Sequence, residues 1–137
     1  MDLEELADDD VAAVVALWTE AGLIRPWNDP VADFHRAVRG TTSTVLGVKS
    51  GDELIGTVMV GHDGHRGWAY FVAVRASDQR QRVGTQLMDA AEVWLRQRGA
   101  VKIQLTVRRE NESVARFYEV AGYEESDVIV MSKWLTR

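Results

Sequence analysis

The stretch Trp68-Ala69-Tyr70-Phe71-Val72-Ala73-Val74 runs through a short turn into Gln79-Arg80-Gln81-Arg82-Val83-Gly84, and this passage decides how the chain is read. Seven uncharged residues rich in aromatic and branched side chains predict a strand. Apolar residues fall at both parities of the alternation, so the strand is expected to be central and covered on both sides. Beyond the turn, Val83, Leu87, Ala91, Trp94 and Leu95 recur at helical spacing, which predicts a helix over 83–98 with Gly99 as its cap. The first turn of such a helix carries backbone N–H groups without an internal partner, at the positive end of the helix dipole. Arg75, Arg80 and Arg82 flank that turn in a chain whose net charge is −5. A phosphate-bearing ligand accounts for this economically. For the hexapeptide alone, a solvated basic turn ahead of a surface helix is the plainer reading.

Working outward, residues 2–7 read as a short, charged edge strand. Asp10 is a candidate N-cap for a helix over 11–21 that puts Val11, Val14, Val15 and Trp18 on one face, and Gly22 stops it. Both prolines fall together around Trp27-Asn28-Asp29, and Asp29 before Pro30 signals the start of a short helix ended by Gly40. Residues 44–49 and 53–61 read as two strands joined at Ser50-Gly51-Asp52. After the long helix come a strand over 101–107, a helix over 111–121 and a final strand over 127–134. This order specifies an α/β (α+β) single domain over 1–137: a mixed, mostly antiparallel sheet with helices on both faces.

A chain of 137 residues, 46% hydrophobic and 27% charged, has the composition of an ordinary folded globule. With no cysteine it has no disulfide framework, no thiolate nucleophile and no cysteine-based zinc site. The acidic start (Asp2, Glu4, Glu5, Asp8, Asp9, Asp10) is the reverse of a signal peptide, and no apolar run reaches membrane-spanning length. A cytoplasmic protein is therefore expected. The acidic balance argues against a nucleic-acid partner, which needs a basic surface. It is compatible with a cationic amine as partner, or simply with solubility.

The two segments 79–84 and 111–123 resemble the GNAT superfamily of acyl-CoA-dependent N-acetyltransferases. The family's pyrophosphate signature reads Gln/Arg-x-x-Gly-x-Gly/Ala, and Gln79, Arg82 and Gly84 occupy its defined positions. The later pattern, Asn-x-x-Ala-x-x-Leu/Phe-Tyr-x-x-x-Gly-Phe/Tyr, is filled by Asn111, Val114, Phe117, Tyr118, Gly122 and Tyr123, with Val114 where alanine is usual. Residues 25–30 and 63–67 also resemble the YpeA-like bacterial subgroup. The resemblance implies the GNAT fold and acetyl-CoA as donor. It implies a binding set of Gln79, Arg80, Gln81, Arg82, Val83, Gly84 and Thr85, with the pantetheine arm pairing near Val72 and Val74 where this strand splays from the next. Asn111 is implied as a further contact, besides serving as a helix cap. An N–H of the splayed region is implied to stabilise the oxyanion. Arg82 departs from the usual glycine: either the position resists arginine, if it needs a positive φ, or the guanidinium adds a contact to phosphate.

Tyr118 is the candidate acid for the departing thiolate, a phenol of pKa near ~10 being able to give a proton at neutral pH. The acceptor would be an amine-bearing small molecule or a peptide or protein amine, and a homodimer is compatible with the family. A base is harder to name. Trp68 and Thr106 stand where relatives often carry a glutamate, which leaves Asp63, His65, Glu110 or an ordered water. His62, Asp63 and His65 read as a polar turn rather than a metal site. Trp27, Asn28 and Asp29 fit either an acceptor pocket or helix capping. Because the strand carboxylates are missing, a non-catalytic acyl-CoA-binding regulatory domain stands as the alternative to an enzyme.

Overall fold

A computed structural model describes residues 1–79 and 82–136. Its contacts divide the chain into two units, Met1–Leu105 and Thr106–Arg137.

The first unit holds a five-stranded sheet. In chain order it comprises β1 (Asp2–Glu5), α1 (Val11–Glu20), α2 (Pro30–Arg39), β2 (Ser43–Ser50), β3 (Glu53–His62), β4 (Gly67–Val74), α3 (Val83–Gln97) and β5 (Ile103–Gln104). The strands lie in the order β1-β2-β3-β4-β5, antiparallel except for the parallel pair β4–β5. The expected mixed sheet is thus present. Two single-turn 3₁₀ helices, Asp8–Asp10 and Ala76–Asp78, were not anticipated.

Helices cover both faces, and neighbouring residues of β3 show it. The Thr57 hydroxyl meets the Trp18 indole of α1. A side chain at the adjacent Gly56 would run into Val83 and Leu87 of α3. Because strand side chains alternate, one residue serves each layer. The α1/α2 layer is built from Val14, Leu17, Trp18, Phe34 and Ala37 over Val45 and Ala73. Trp18 and Phe34 are fully buried, each contributing about 1.5–3 kcal/mol by area.

Helix starts follow the expected chemistry unevenly. Asp29 accepts from the Ala32 N–H at 3.0 Å and Pro30 opens α2, as the sequence predicts. Asp10 precedes α1 but does not cap it. Its carboxylate accepts from the Ala7 N–H and pairs with Lys49 at 3.1 Å, and Lys49 also pairs with Glu4 at 2.8 Å. Lys49 of β2 and the Ala7 N–H have thus taken the two oxygens of the expected cap.

β5 is two residues long where seven were expected. The second unit holds α4 (Glu112–Val120) and, among its described residues, no strand. The strand expected over 127–134 is therefore absent. Within this unit there is no other strand to satisfy its backbone, and Val128, Ile129, Val130 and Met131 are exposed. Among the described residues no helix is long and apolar enough to cross a membrane.

Candidate active site

The site begins with an irregularity in β4. Tyr70 faces Met59 and Ala73 faces Thr57, so Phe71 and Val72 together oppose the single residue Val58. This is a β-bulge, and its first residue, Phe71, takes φ +50. An aromatic residue in left-handed space costs about 1–3 kcal/mol and persists only where its surroundings dictate it. Here they do. The Phe71 ring stacks on Trp18 with centroids 4.0 Å apart and planes 13° from parallel. Thr57, fully buried, donates its hydroxyl to the Phe71 carbonyl at 3.2 Å and accepts from the Trp18 indole N–H at 3.0 Å. One hydroxyl thus ties α1 to the bulge.

The other side of β4 is paired to β5 only at Gly67 and Trp68. From Ala69 to Val74 that edge carries no ladder among the described residues. The expectation of a strand covered on both sides fails here: β4 is interior in strand order, yet Tyr70 is 48% exposed. Val72 and Val74 lie on this stretch without a ladder.

The strand leads to the start of α3. Among the described residues no side chain caps this 15-residue helix, and its N-cap is Arg82 at φ 63, ψ 21. The first helical bond runs from the Gln86 N–H to the Arg82 carbonyl, leaving the N–H groups of Val83, Gly84 and Thr85 without an intrahelical partner. Position 82 therefore does need a positive φ, and arginine adopts it. Arg75 is not a free cation at this turn: it is paired with Glu53 and, at 2.6 Å, with Asp78. Its backbone N–H donates to Ile55 at 2.7 Å, and the Gln79 amide donates to the Val74 carbonyl at 3.3 Å. Both residues brace the turn. Arg80 and Gln81 lie outside the described residues.

In the second unit Tyr118 is 7% exposed, edge-on to Phe117 and Tyr123 with centroids 5.0 and 5.5 Å away. Burial pushes its phenol up to about 12. Asn111 precedes α4, but its side chain makes no capping bond, so the cap expected of it is not formed.

Of the residues weighed as bases, Asp63 accepts the backbone N–H groups of Arg66 and His65 at 2.7 and 2.8 Å, which holds its carboxyl below the usual range. His65 and Glu110 are exposed. Trp27 is 58% exposed and Asp29 serves as a cap. The concave site lies one helical turn further on: a cavity of about 420 Å³ lined by Asp33 and Arg36 of α2, His62 and Asp63, and Trp68 and Tyr70 of β4. Sequence reasoning missed Asp33, Tyr70 and Thr57. For Thr57 a signal existed, since a hydroxyl inside Ile55-Gly56-Thr57-Val58 must find a buried partner.

The site thus joins an interior strand freed along one edge to a helix start whose N-cap makes no side-chain bond. The chain belongs to the Acetyltransferase (GNAT) family, whose model matches residues 4–123. Members of the family use acetyl-CoA as donor. Among solved structures, the aminoglycoside N-acetyltransferase AAC(6')-Iy, solved with a bisubstrate analogue, has TM-score 0.85 and 14% identity, with 98% of each chain covered. A transcriptional regulator from Bacillus halodurans has TM-score 0.84 and 20% identity, covering 97% of this chain and 99% of that one. The aminoglycoside 6'-N-acetyltransferase AAC(6')-IG from Acinetobacter haemolyticus has TM-score 0.81 and 15% identity, covering 99% and 100%. These likenesses establish the fold.

Proposed function

We propose that this protein transfers the acetyl group of acetyl-CoA to a primary amine by direct attack. The observation that carries the reading is the β4 edge, which has no strand partner among the described residues from Ala69 to Val74 and leads to the start of α3. Such an edge accepts an extended, amide-bearing arm by strand addition. Val72 and Val74 would supply the main-chain partners. The N–H groups of Val83, Gly84 and Thr85 would hold the pyrophosphate with Arg82, Gln79, Arg80 and Gln81, and Asn111 would contact the arm.

Acetyl-CoA supplies an activated acyl carbon. The amine nitrogen forms the new C–N bond as the C–S bond breaks; the nitrogen loses one proton and the sulfur gains one. Tyr118 is the proposed donor of the second proton, because its burial keeps the phenol protonated throughout the neutral range. Asp63, held low by its two N–H donors, is poorly suited to take the first, which we assign to water. For a lysine-like amine, deprotonation costs about 4–5 kcal/mol at neutral pH, so amines of lower pKa should react faster.

Thermal-shift titration with acetyl-CoA and CoA, and with ATP as control, tests the donor site. At a hundred times its dissociation constant a ligand adds about 2.7 kcal/mol, roughly 8–12 °C for a chain of this size. A rise with both CoA species and none with ATP is expected. Tyr118→Phe should keep that rise and lower kcat on an accepted amine by ~10²-fold. Unchanged kcat would remove Tyr118 from the chemistry. Acetyl-CoA binding with no turnover on any amine class would favour a regulatory acyl-CoA-binding domain, a reading motivated by Trp68 and Thr106 where relatives carry carboxylates.

A further inference from the structure

The cavity beside the bulge has a chemistry of its own. Its lining is largely apolar, with Ala37, Met59, Val60 and Phe71 contributing, and the rings of Trp68 and Tyr70 lie nearly parallel, 14° apart with centroids at 6.3 Å. Of its two carboxylates, Asp63 is already committed to the N–H groups of His65 and Arg66. The carboxylate of Asp33, partly buried on α2, has neither a hydrogen bond nor an ion pair to any described residue. Burial raises its pKa, Arg36 one turn away lowers it in part, and Asp29 adds to the rise. A cation placed against Asp33 would restore the charge partner that burial removes.

Tyr70 and Phe71 line this cavity and directly precede Val72, where the unpaired edge of β4 lies. Building on the acetyltransferase reading, we infer that the cavity is the acceptor site and that it selects small monoamines with an aromatic or apolar stem. The stem lies against Trp68, Tyr70 and the apolar floor, and Asp33 draws the cationic form of the amine into the cavity. Polar lining groups such as Thr42, Ser43 and His62 are present, but hydroxyls of a polyhydroxylated amine set against Ala37, Met59, Val60 and Phe71 would lose their partners, which a binding site penalises. A polyamine would bring a second positive charge toward Arg36 on the same wall.

The test compares 2-phenylethylamine, spermidine and kanamycin as acceptors by release of the CoA thiol. Calorimetric binding of 2-phenylethylamine to the CoA-saturated protein gives a readout independent of turnover. The expected kcat/KM for 2-phenylethylamine is at least tenfold above the other two. Asp33→Asn, close in shape, should raise both its KM and its dissociation constant at least tenfold while leaving the KM for acetyl-CoA within twofold. Tyr70→Ala, a change at an exposed ring, should weaken 2-phenylethylamine at least threefold. Kanamycin or spermidine preferred or equal overturns the inference, as does an unchanged dissociation constant in Asp33→Asn. These results leave the donor site standing if acetyl-CoA still raises the melting temperature. Absence of that rise removes both readings together.

Discussion

Replacing Thr57 by valine tests whether one hydroxyl holds the bulge. The side chain keeps its branched shape, so the loss is almost wholly polar. Trp18 is fully buried, and its indole N–H would be left with no acceptor. Orphaning a buried donor costs about 1–3 kcal/mol. The Phe71 carbonyl also loses its donor, but Phe71 is only partly buried and solvent offsets some of that. A total of about 2–3 kcal/mol corresponds to a fall of roughly 6–15 °C in melting temperature.

The functional consequence is separate from the stability loss. Phe71 at φ +50 stores strain that the stack on Trp18 and the bond from Thr57 must outweigh. With the bond gone, a regular strand that returns Phe71 to extended backbone becomes competitive, and β4 loses the shape that frees its edge. The KM for acetyl-CoA should rise severalfold. Urea unfolding of Thr57→Val, Trp18→Phe and the double variant isolates the contact: without an indole donor the hydroxyl matters less, and a coupling of about 1–2 kcal/mol is expected. If Thr57→Val costs below ~0.5 kcal/mol, or costs the same in both backgrounds, the hydroxyl is not the tie described here.

Two further predictions concern the donor site and the acid. Arg82→Gly relieves about 1–2 kcal/mol of left-handed strain but returns about 0.5–1 kcal/mol through the freer unfolded chain, so stability should hold or rise slightly. Acetyl-CoA affinity should fall less than tenfold; a hundredfold loss in calorimetry would show that arginine is indispensable there. Tyr118 has a folded pKa of about 12 against an ordinary value near ~10, so its contribution is fully present below pH ~10 and is lost as pH rises through ~12, worth roughly 2–3 kcal/mol. Lys49, also raised to about 12, titrates in the same window, so the difference between wild type and Tyr118→Phe in alkaline unfolding is the quantity to measure. An equal alkaline loss in both proteins would refute the assignment.

The sequence made most of the first unit legible because its signals are local. Asp29 and Pro30 mark a helix start through φ preference and a capping oxygen. Helical periodicity locates α3, and the chain signature locates the turn before it. What escaped depends on partners far along the chain. Asp10 reads as a cap until Lys49, thirty-nine residues later, takes its carboxylate. Arg75 reads as one of three free cations until Glu53 and Asp78 neutralise it. The bulge is invisible in Tyr70-Phe71-Val72 because nothing in those residue types demands a positive φ. It follows from the stack on Trp18 and the bond from Thr57, neither of which has a sequence pattern. The cavity escaped for a related reason: Asp33 and Tyr70 are ordinary surface choices on their own elements and become a site only when α2 packs on the sheet that holds β4.

Among the described residues, Phe71 and Arg82 are the non-glycine residues at positive φ, and they bracket the segment assigned to the donor. Backbone strain of this kind is informative when it is observed first and explained second. The two positions differ in how the strain is offset. At Phe71 the offset is internal, through Trp18 and Thr57, so the bulge stands ready before any ligand arrives. Arg82 is exposed; its side chain makes no hydrogen bond or ion pair to another described residue, and it does not cap the helix it begins. An anion at the start of α3 would offset the strain by engaging the guanidinium together with the N–H groups that have no intrahelical partner. On the proposed function, the edge is preformed while the phosphate end would gain its balance on binding. The same proposal would then give recognition of the acyl arm to the rigid bulge and leave the helix start as the part whose stability the donor would raise.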